Sequence, residues 1–370
     1  MGEYIVCGVD AHERTLECRI GVGREAPSRL RFENTRGGRQ DLFGELERMR
    51  QRTGSEKVLL GYEASPLGYG LYDESVEAGM ECVVLAPTKI ARSVEDRKRK
   101  YDDRDATRIL EALRGHVLAG NELPAIWIPE VQTRDDREVS RCRLDLTEKL
   151  TAVKAQVRML LKRNHIEKPE GVGTSWTLSD RAWLEGLRLA PGAQVWLSSL
   201  LRQVDALAEE IGRLDRELEQ LAEQERYRAA AQALCGMGGI GVLTALVFLT
   251  EMGDLRRFGN RKQIGAYLGL VPSSHESGDG DDRKGHITRE GPARVRKVLC
   301  QAVWARLRTD PREADAYRRV VKRNPKHKKI AVVACMRRLA ILMWHRAKEA
   351  QTPRAGSAMG AEPATSGIAG

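Results

Sequence analysis

The chain has 370 residues, which at roughly 150 residues per domain gives room for two or three domains with apolar cores. Its 62 lysine and arginine residues exceed its 52 aspartate and glutamate residues, and 41% of all residues are hydrophobic. This composition argues against global disorder, and its apolar runs, such as that around residues 243–249, are too short for a membrane span of about 20 residues.

Cysteine usage and the first residues predict a protein of the reducing cytoplasm. The cysteines are odd in number and none forms a CxxC pair, which argues against a zinc ribbon or a secreted disulfide framework. The chain begins with a strand-like run and has no signal-peptide pattern. We therefore expect all seven cysteines to be small buried apolar side chains: Cys7, Cys18, Cys82, Cys142, Cys235, Cys300 and Cys335.

The first part of the chain alternates between short apolar runs and helical patterns. Strands are predicted over residues 4–9, 16–22, 30–34, 57–62 and 82–86, and helices over 40–52, 67–78 and 102–113. Three strands followed by alternating helices and strands is the order of the ribonuclease H-like (RuvC-type) fold, a mixed sheet flanked by helices. The predicted fold class is α/β plus α.

Two long helices with apolar seams are predicted in the middle of the chain, on either side of residues 168–192. The first seam comprises Val139, Cys142, Leu146, Leu150, Val153, Val157 and Leu160. The second comprises Leu197, Leu201, Val204, Leu207, Ile211, Leu214, Leu218 and Leu221. Either an antiparallel hairpin within one chain or a coiled coil between chains would bury both seams.

These patterns divide the chain into four predicted regions. A catalytic domain is expected over residues 1–130 and a helical hairpin or coiled coil over 131–229. A compact, mostly helical and basic domain is expected over 230–350. The small, polar and turn-rich residues 351–370 predict a disordered tail.

Positive charge is concentrated near the carboxyl terminus. Residues 281–350 contain 20 lysines and arginines against 7 acidic residues, a balance of 20 − 7 = +13, so the remaining residues sum to 10 − 13 = −3. This asymmetry favours nucleic acid over an anionic membrane as the partner, and the alternative is a solvated charged face. The predicted nucleic-acid-binding residues are Lys89, Arg92, Lys98, Lys100, Arg283, Lys284, Arg289, Arg294, Arg296 and Lys297.

Four acidic residues are candidates for a metal site. Asp10 and Glu63 each end a predicted strand, and adjacent parallel strands place their carboxyl ends at one crevice. Asp102 and Asp105 are three residues apart at a helix start and therefore share a face. Converging carboxylates need a compensating cation, and oxygen ligands favour Mg²⁺ or Mn²⁺. The alternative is that these are turn formers, helix caps and a solvated helix start.

A glycine-rich turn, LCGMGGIGVLTA at residues 234–245, precedes an apolar helix. Its backbone N–H groups could cradle a phosphate, and the turn resembles a helix–hairpin–helix element that grips the DNA backbone. Close packing between helices is the equally acceptable structural alternative.

A serine nucleophile is predicted in the segment AYLGLVPSSHESGDGDDRKGHITREG. Ser277, which precedes a glycine, could attack a phosphodiester once activated by a base or by metal-held geometry, with His275 as a possible base. Ser273 and Ser274 follow a proline and are predicted to be cap residues. Three aspartates either bind a cation or make the loop polar: Asp279, Asp281 and Asp282.

These motifs together resemble the bridge-RNA-guided insertion-sequence transposases of the IS-one-ten type. The matching segments are GVDAH, YEAS, KYDDRDA, WIPEVQTRDDREVSRCR, GMGGIGVLTALVFLTEMGD, AYLGLVPSSHESG and GHITREG, in the family's order. The resemblance implies a RuvC-type domain whose DEDD tetrad is Asp10, Glu63, Asp102 and Asp105. It also implies that Ser277 attacks DNA and becomes covalently attached to it.

The resemblance further implies oligomers, dimers or tetramers, with a composite site in which one subunit supplies the metal domain and another the serine. A structured noncoding guide RNA would choose donor and target DNA. Two positions depart from the family's pattern, because Asp103 replaces a basic residue and Glu276 replaces the serine that usually precedes the nucleophile.

The function predicted is therefore a metal-dependent DNA transposase that conserves bond energy in a phosphoserine link. Three alternatives stay open. The first is a RuvC-like junction nuclease in which water is the nucleophile. The second is an actin- or sugar-kinase-like phosphotransferase, since GVDAH also resembles the first phosphate-binding strand of that superfamily. The third is a catalytically inactive nucleic-acid-binding protein.

Overall fold

The computed structural model describes residues 4–87, 89, 102–173, 175–275, 283–323, 325–326 and 328–351, with the backbone alone for 102–104, 274–275 and 283–284. The chain forms two compact units, residues 1–128 and 129–370. The predicted tail from residue 352 onward lies outside the described residues.

The first unit has the predicted order of strands and helices. Its elements are β1 (Tyr4–Ala11), β2 (Thr15–Val22), β3 (Ser28–Glu33), α1 (Arg36–Thr53), β4 (Lys57–Glu63), α2 (Gly70–Glu77), β5 (Glu81–Leu85) and α3 (Asp102–Ala119). The sheet order is β3-β2-β1-β4-β5, with β1 antiparallel to β2 and parallel to β4. The predicted mixed sheet is confirmed, and its order is compatible with a ribonuclease H-like fold.

The two faces of this sheet bury different helices. Because side chains alternate along a strand, Ile5, Cys7 and Val9 of β1 belong to the apolar cluster that also contains Leu42 and Leu46 of α1. On the opposite face, Val6 clusters with residues of β4, β5 and α3, namely Leu59, Leu85, Ile109, Leu110 and Leu113. Helix α3 therefore covers the face that carries the even-numbered residues of β1.

The second unit is almost entirely helical. Its elements are α4 (Val131–Arg163), α5 (Leu178–Gly186), α6 (Pro191–Ala222), α7 (Glu225–Cys235), α8 (Val242–Met252), a 3₁₀ turn (Leu255–Arg257), α9 (Arg261–Tyr267), β6 (Pro272–His275), β7 (Arg283–Ile287), α10 (Ala293–Thr309), α11 (Pro311–Arg323) and α12 (Lys328–Gln351). Within the part of the chain that the structure describes, no helix is long and apolar enough to cross a membrane.

The long helices α4 and α6 form an antiparallel hairpin within one chain. Leu144 shares an apolar cluster with Leu218, whereas Leu160, farther along α4, shares one with Leu197 at the start of α6. Six of the eight residues in the predicted seam of α6 are buried, whereas Leu207 and Ile211 are half-buried. In the first half of α4 the predicted seam residues are half-buried, apart from the exposed Cys142. The buried positions there are Asp136, Arg137, Ser140 and Leu144, because this part of α4 packs on α7 and α8 through polar groups.

The prediction that all seven cysteines are buried is confirmed for three of them and is wrong for Cys142. Cys7, Cys18 and Cys335 are buried, and Cys82, Cys235 and Cys300 are half-buried. Cys142 is exposed, because the register of α4 turns it away from the seam predicted to contain it.

Candidate active site

Asp10 and Glu63 lie at the same end of the sheet on neighbouring strands. The parallel register of β1 and β4 pairs Gly8 with Gly61 and Val9 with Tyr62, so the next positions are Asp10 and Glu63. Alternation of side chains places both carboxylates on the face that α3 covers. Both residues are half-buried. The sheet therefore presents two adjacent carboxylates at the carboxyl ends of parallel strands.

Two glycines allow α3 to approach this sheet closely. A β-carbon on Gly8 would lie 2.5 Å from both the carbonyl oxygen of Ala106 and the amide nitrogen of Leu110. Farther along α3, Arg114 lies over Gly21, whose partner in β1 is Val6. Helix α3 thus runs antiparallel to β1, and its first turn points toward the end of the strand that carries Asp10.

The first turn of α3 brings further acidic residues toward this end. Asp105 immediately precedes Ala106, the residue packed on Gly8. Its carboxylate forms an ion pair with Arg108, one turn later on the same helix, and each side chain is 19% exposed. The backbone of Asp102 and Asp103 begins the helix, and the side chains of both lie outside the described residues.

A histidine lies beside Asp10, and an arginine lies beside Asp105. His12 Nε2 lies 3.2 Å from Asp10 Oδ2, and the Asp10 side chain is 18% exposed. Neither His12, just after the end of β1, nor Arg108, three residues after Asp105 on α3, was predicted to belong to the site. No three histidine, cysteine, aspartate or glutamate side chains among those described are grouped closely enough to hold a metal ion.

The predicted serine lies beyond the ends of a paired hairpin. Strands β6 and β7 are antiparallel, with His275 opposite Arg283 and Ser274 opposite Lys284. The intervening residues 276–282, which include Ser277 and the three loop aspartates, lie outside the described residues. Ser273 and Ser274 are not helix caps but strand residues, because Ser273 in β6 donates across the hairpin to the carbonyl of His286 at 3.1 Å.

The described basic residues near this hairpin have different partners. Arg294 pairs with Asp145 at 3.3 Å and Lys297 with Glu148 at 2.6 Å, both surface contacts of the kind that contribute little stability. Arg296 donates to three backbone carbonyls, those of Leu268, Glu290 and Gly291. Desolvation lowers the pKa of Arg296, with a smaller contribution from the charge of Arg289.

The remaining predicted nucleic-acid residues are less fully described. Lys89 is exposed just after β5, and its amide donates to Ala86 in a turn. Arg92, Lys98 and Lys100 lie outside the described residues, and Arg283 and Lys284 are described in their backbone alone.

The glycine-rich turn between α7 and α8 packs closely on α10. Gly239 has φ +80°, and a β-carbon there would lie 2.8 Å from Cγ of Arg306. The Arg306 guanidinium donates to the carbonyl of Gly238 at 2.7 Å. Close helix packing, one of the two interpretations of this motif, is therefore observed at Gly239, whereas a β-carbon at Gly238 or Gly241 would meet open space.

A buried ionic cluster joins α4 to α8 and was not found by sequence analysis. Glu251 is 5% exposed, and Arg141 pairs with it at 2.9 Å. Arg137, also buried, donates to the carbonyl of Thr250 at 2.7 Å and lies 3.8 Å from the Glu251 carboxylate. These residues belong to the motifs WIPEVQTRDDREVSRCR and GVLTALVFLTEMGD, so both segments have a structural role in joining the two helices.

A second buried carboxylate, that of Asp136, lies on α4 and immediately precedes Arg137. Asp136 accepts from Arg226 and from the hydroxyl of Tyr227, each at 2.7 Å. Burial raises the pKa of Tyr227, and its hydrogen bond to Asp136 raises that pKa further. This contact fixes the start of α7 against the hairpin.

Comparisons with known proteins identify the family. Residues 231–318 match the model of the transposase IS116/IS110/IS902 family, and residues 7–166 match that of the DEDD transposases of the IS110 type. A transposase of Sinorhizobium fredii, y4qE, is 32% identical over 74% of this chain and 67% of its own length. The transposase for insertion sequence element IS1533 of Leptospira borgpetersenii is 26% identical over 66% of this chain and 69% of its own.

A third relative covers a similar share of both chains. The transposase for insertion sequence element IS1111A of Coxiella burnetii is 24% identical over 75% of this chain and 74% of its own length. Together with the mixed sheet and its terminal carboxylates, these matches identify the chain. It belongs to the IS116/IS110/IS902 family of transposases, the DNA recombination enzymes of insertion sequences.

Proposed function

We propose that this protein mobilises an insertion sequence by cutting and rejoining DNA strands, with Ser277 as the nucleophile and a carboxylate tetrad as the metal site. The tetrad comprises Asp10, Glu63, Asp102 and Asp105. The observation that carries the proposal is the register of β1 and β4, which sets Asp10 beside Glu63 at the sheet end toward which the first turn of α3 points. Two carboxylates therefore lie side by side on neighbouring strands, and the helix that carries Asp102 and Asp105 begins toward the same end of the sheet.

The residues at this end of the sheet fit a divalent metal ion. All four donors are carboxylates, and such oxygen ligands suit Mg²⁺ or Mn²⁺ better than zinc. Without a cation, several carboxylates at close range disfavour each other's ionisation. When bound, the ion would polarise the scissile phosphodiester. Asp105 would exchange its ion pair with Arg108 for the metal, and His12 would stay beside Asp10.

Ser277 carries out the covalent step of strand cleavage. Its hydroxyl oxygen attacks the phosphorus, its proton passes to a base such as His275, and the bond from phosphorus to the 3′-oxygen of the strand breaks. The 3′-hydroxyl leaves with a proton, and the 5′-phosphate stays linked to serine. A second 3′-hydroxyl then reverses the step and joins a new strand. Because the phosphoester bond is conserved, rejoining needs no ATP.

Nucleic-acid partners follow from the charge distribution and the family. The excess of +13 over residues 281–350 suits a polyanion, and Lys89, Arg294 and Lys297 are charged groups at the surface. We propose double-stranded donor and target DNA and a structured guide RNA as partners, with action in the nucleoid. We further propose that a dimer or tetramer completes each site, with Ser277 supplied by a neighbouring subunit.

A covalent-adduct assay tests this proposal. Purified protein is mixed with Mg²⁺, labelled DNA of the element's ends and RNA transcribed from its flanking noncoding region, and adducts are separated on denaturing gels. The wild type should form a protein–DNA adduct and joined strands, and Ser277→Ala should form neither. Ser273→Ala is the matched control, because the Ser273 hydroxyl donates to the backbone carbonyl of His286 within the hairpin. Cleavage by Ser277→Ala without an adduct would favour the junction nuclease.

A further inference from the structure

A cavity of about 540 Å³ lies at the tip of the α4–α6 hairpin. It opens between the end of α4 and α5, and none of its residues belongs to the carboxylate site. Its apolar lining includes Val157, Leu161, Ile166 and Leu184, together with two tryptophans, Trp176 and Trp183. Its polar and charged lining includes Arg158, Lys162, His165 and Lys168 on the basic side and Glu167 and Asp180 on the acidic side. The volume lies in the range of sites for small ligands, and we call this cavity the tip groove.

Trp176 is held in an uncommon backbone conformation. Its φ of +71° lies in the left-handed region, which a bulky residue rarely adopts and which is found most often at functional positions. The ammonium group of Lys154 lies 4.9 Å from the centroid of the ring. This cation–π contact covers one face of the indole, while the side chain as a whole stays half-buried along the groove.

A buried aspartate keeps Trp176 in place. Asp180 is 4% exposed, and its carboxylate accepts from the amide of Trp176 at 2.6 Å and from Lys168 at 2.5 Å. Burial opposes ionisation of Asp180, but the hydrogen bonds from Lys168 and the Trp176 amide outweigh it and hold the pKa below its ordinary value. The wall of the groove is therefore fixed before any ligand arrives.

Two cations at the groove are available to a ligand. Arg158 and Lys162 are exposed, and neither forms an ion pair with a described carboxylate. Elsewhere on the hairpin, Arg143 pairs with Asp215 at 2.7 Å and Arg181 with Asp205 at 2.6 Å. Lys168 is neutralised by Asp180. The groove thus combines unpaired positive charge with indole rings.

We propose that the tip groove binds an unpaired nucleotide, with its base against Trp176 or Trp183 and its phosphate beside Arg158 and Lys162. Aromatic rings next to cations are how proteins bind single-stranded nucleic acid, because every base offers a π-face and every linkage a negative charge. The inference rests on the proposed function, which supplies the nucleic acid, and it names a contact outside the carboxylate site. Looped RNA and displaced DNA strands offer the same chemistry.

Binding of the whole protein to labelled oligonucleotides tests the inference. The probes are fluorescein-labelled U12 RNA, the deoxyuridine 12-mer and a 12-base-pair DNA duplex, measured by fluorescence anisotropy at several salt concentrations. Trp176→Leu should weaken U12 binding by at least about fivefold, the loss expected for one stacked base, with duplex binding unchanged. Trp196→Leu is the matched control, because Trp196 lies on the same hairpin, 41% exposed, outside the groove.

Charge provides a second, independent measurement. Lys162→Glu should weaken single-strand binding and flatten its salt dependence by about 0.7 in logarithmic slope, the value for one phosphate contact. Lys149→Glu, an exposed position on the same helix outside the groove, should change neither. If circular dichroism shows that a tryptophan variant is not folded, the comparison of Lys162→Glu with Lys149→Glu tests the tip groove in its place. A preference for U12 over the deoxy probe identifies RNA as the source, and the reverse identifies DNA.

The tip-groove proposal and the proposed function can each be contradicted without the other. Wild-type affinity for both single strands in Trp176→Leu, Trp183→Leu and Lys162→Glu would overturn the tip groove even if the adduct forms. An equal loss in Trp196→Leu would do the same. Conversely, the Ser277→Ala protein should bind U12 as the wild type does, so a missing adduct leaves the groove measurement intact.

Discussion

The carbonyl oxygen of Ala106 lies 2.5 Å from the position that a β-carbon on Gly8 would occupy. The oxygen belongs to the backbone of α3 and Gly8 to the central strand of the sheet, so neither can rotate away. The absence of a side chain at Gly8 therefore determines how closely α3 approaches β1, and with it where Asp105 in the first turn lies relative to Asp10. A glycine in the motif GVDAH thus has a positional consequence for the carboxylate beside it.

Gly8→Ala should destabilise the first unit and reduce activity together. The added methyl meets backbone atoms that cannot rotate away, so the helix must shift, at a cost of about 1–3 kcal/mol in the free energy of unfolding. Urea denaturation measures this cost. Gly44→Ala is the control, because the nearest atom there is the flexible end of Arg48 at 3.8 Å and alanine should stabilise α1 by about 0.5–1 kcal/mol. Equal stability of the two variants would contradict the prediction.

Glu63→Gln should abolish adduct formation while preserving the fold. The amide keeps the shape of the side chain but removes a negative charge, so Mn²⁺ binding measured by calorimetry should weaken and the adduct should fall by at least about 100-fold. Glu56→Gln is the matched control, because Glu56 is exposed just before the opposite end of β4. The metal assignment is wrong if Glu63→Gln behaves as Glu56→Gln does.

Glu251→Gln should destabilise the second unit strongly. It would remove the carboxylate beside the buried Arg137 and leave Arg141 paired with the exposed Glu138, and loss of one partner of a buried pair costs about 3–5 kcal/mol. Thermal and urea unfolding give the measurement. Glu210→Gln, which removes an exposed partner of Arg213, should leave both transitions where they are. A wild-type transition for Glu251→Gln would show that the cluster is not needed for stability.

Asp180 should make the hairpin tip sensitive to acid. Because its pKa is lower in the folded protein than in the unfolded chain, its stabilising effect is complete above the unfolded value of about 3.9 and is lost as pH falls through the folded value. The stability difference between wild type and Asp180→Asn should thus be constant from pH 5 to 7 and shrink below pH 4. A stability difference that grows as the pH falls would contradict the lowered pKa of Asp180.

Thiol labelling of the native protein should start at Cys142. This residue is exposed on α4, whereas Cys7 and Cys18 are buried in the sheet and burial raises the pKa of the half-buried Cys82 to about 12. Maleimide treatment followed by peptide mass spectrometry should find Cys142 modified first. Early labelling of Cys7 would indicate that the sheet opens.

The fold of the first unit could be predicted from sequence because its signals are local. Each strand is a short apolar run, and the parallel pairing of β1 with β4 follows from their order, which places Asp10 near Glu63. Helix α4 could not be predicted as well, since its buried positions include Arg137 and Ser140. A polar side chain is buried there because Thr250 and Glu251, more than a hundred residues later, bond to Arg137.

The partners of the candidate site were also invisible in the sequence pattern. Nothing periodic marks Arg108 as the partner of Asp105, because an arginine at that spacing is equally common on a solvated helix face. The tip groove could not be predicted from the sequence for a different reason. Residues 168–192 were predicted only as a connection, and the groove exists because that connection folds back so that Trp176 and Trp183 meet Val157 of α4.

The length of α4 separates the tip groove from the helical core of its own unit. Leu144 belongs to that core and Leu161 to the groove, and 17 helical residues at 1.5 Å each separate them by about 25 Å. This equals the rise of roughly seven stacked base pairs. A nucleic acid stacked as in a duplex would therefore need about seven steps to extend from the tip groove alongside α4 to the level of the helical core.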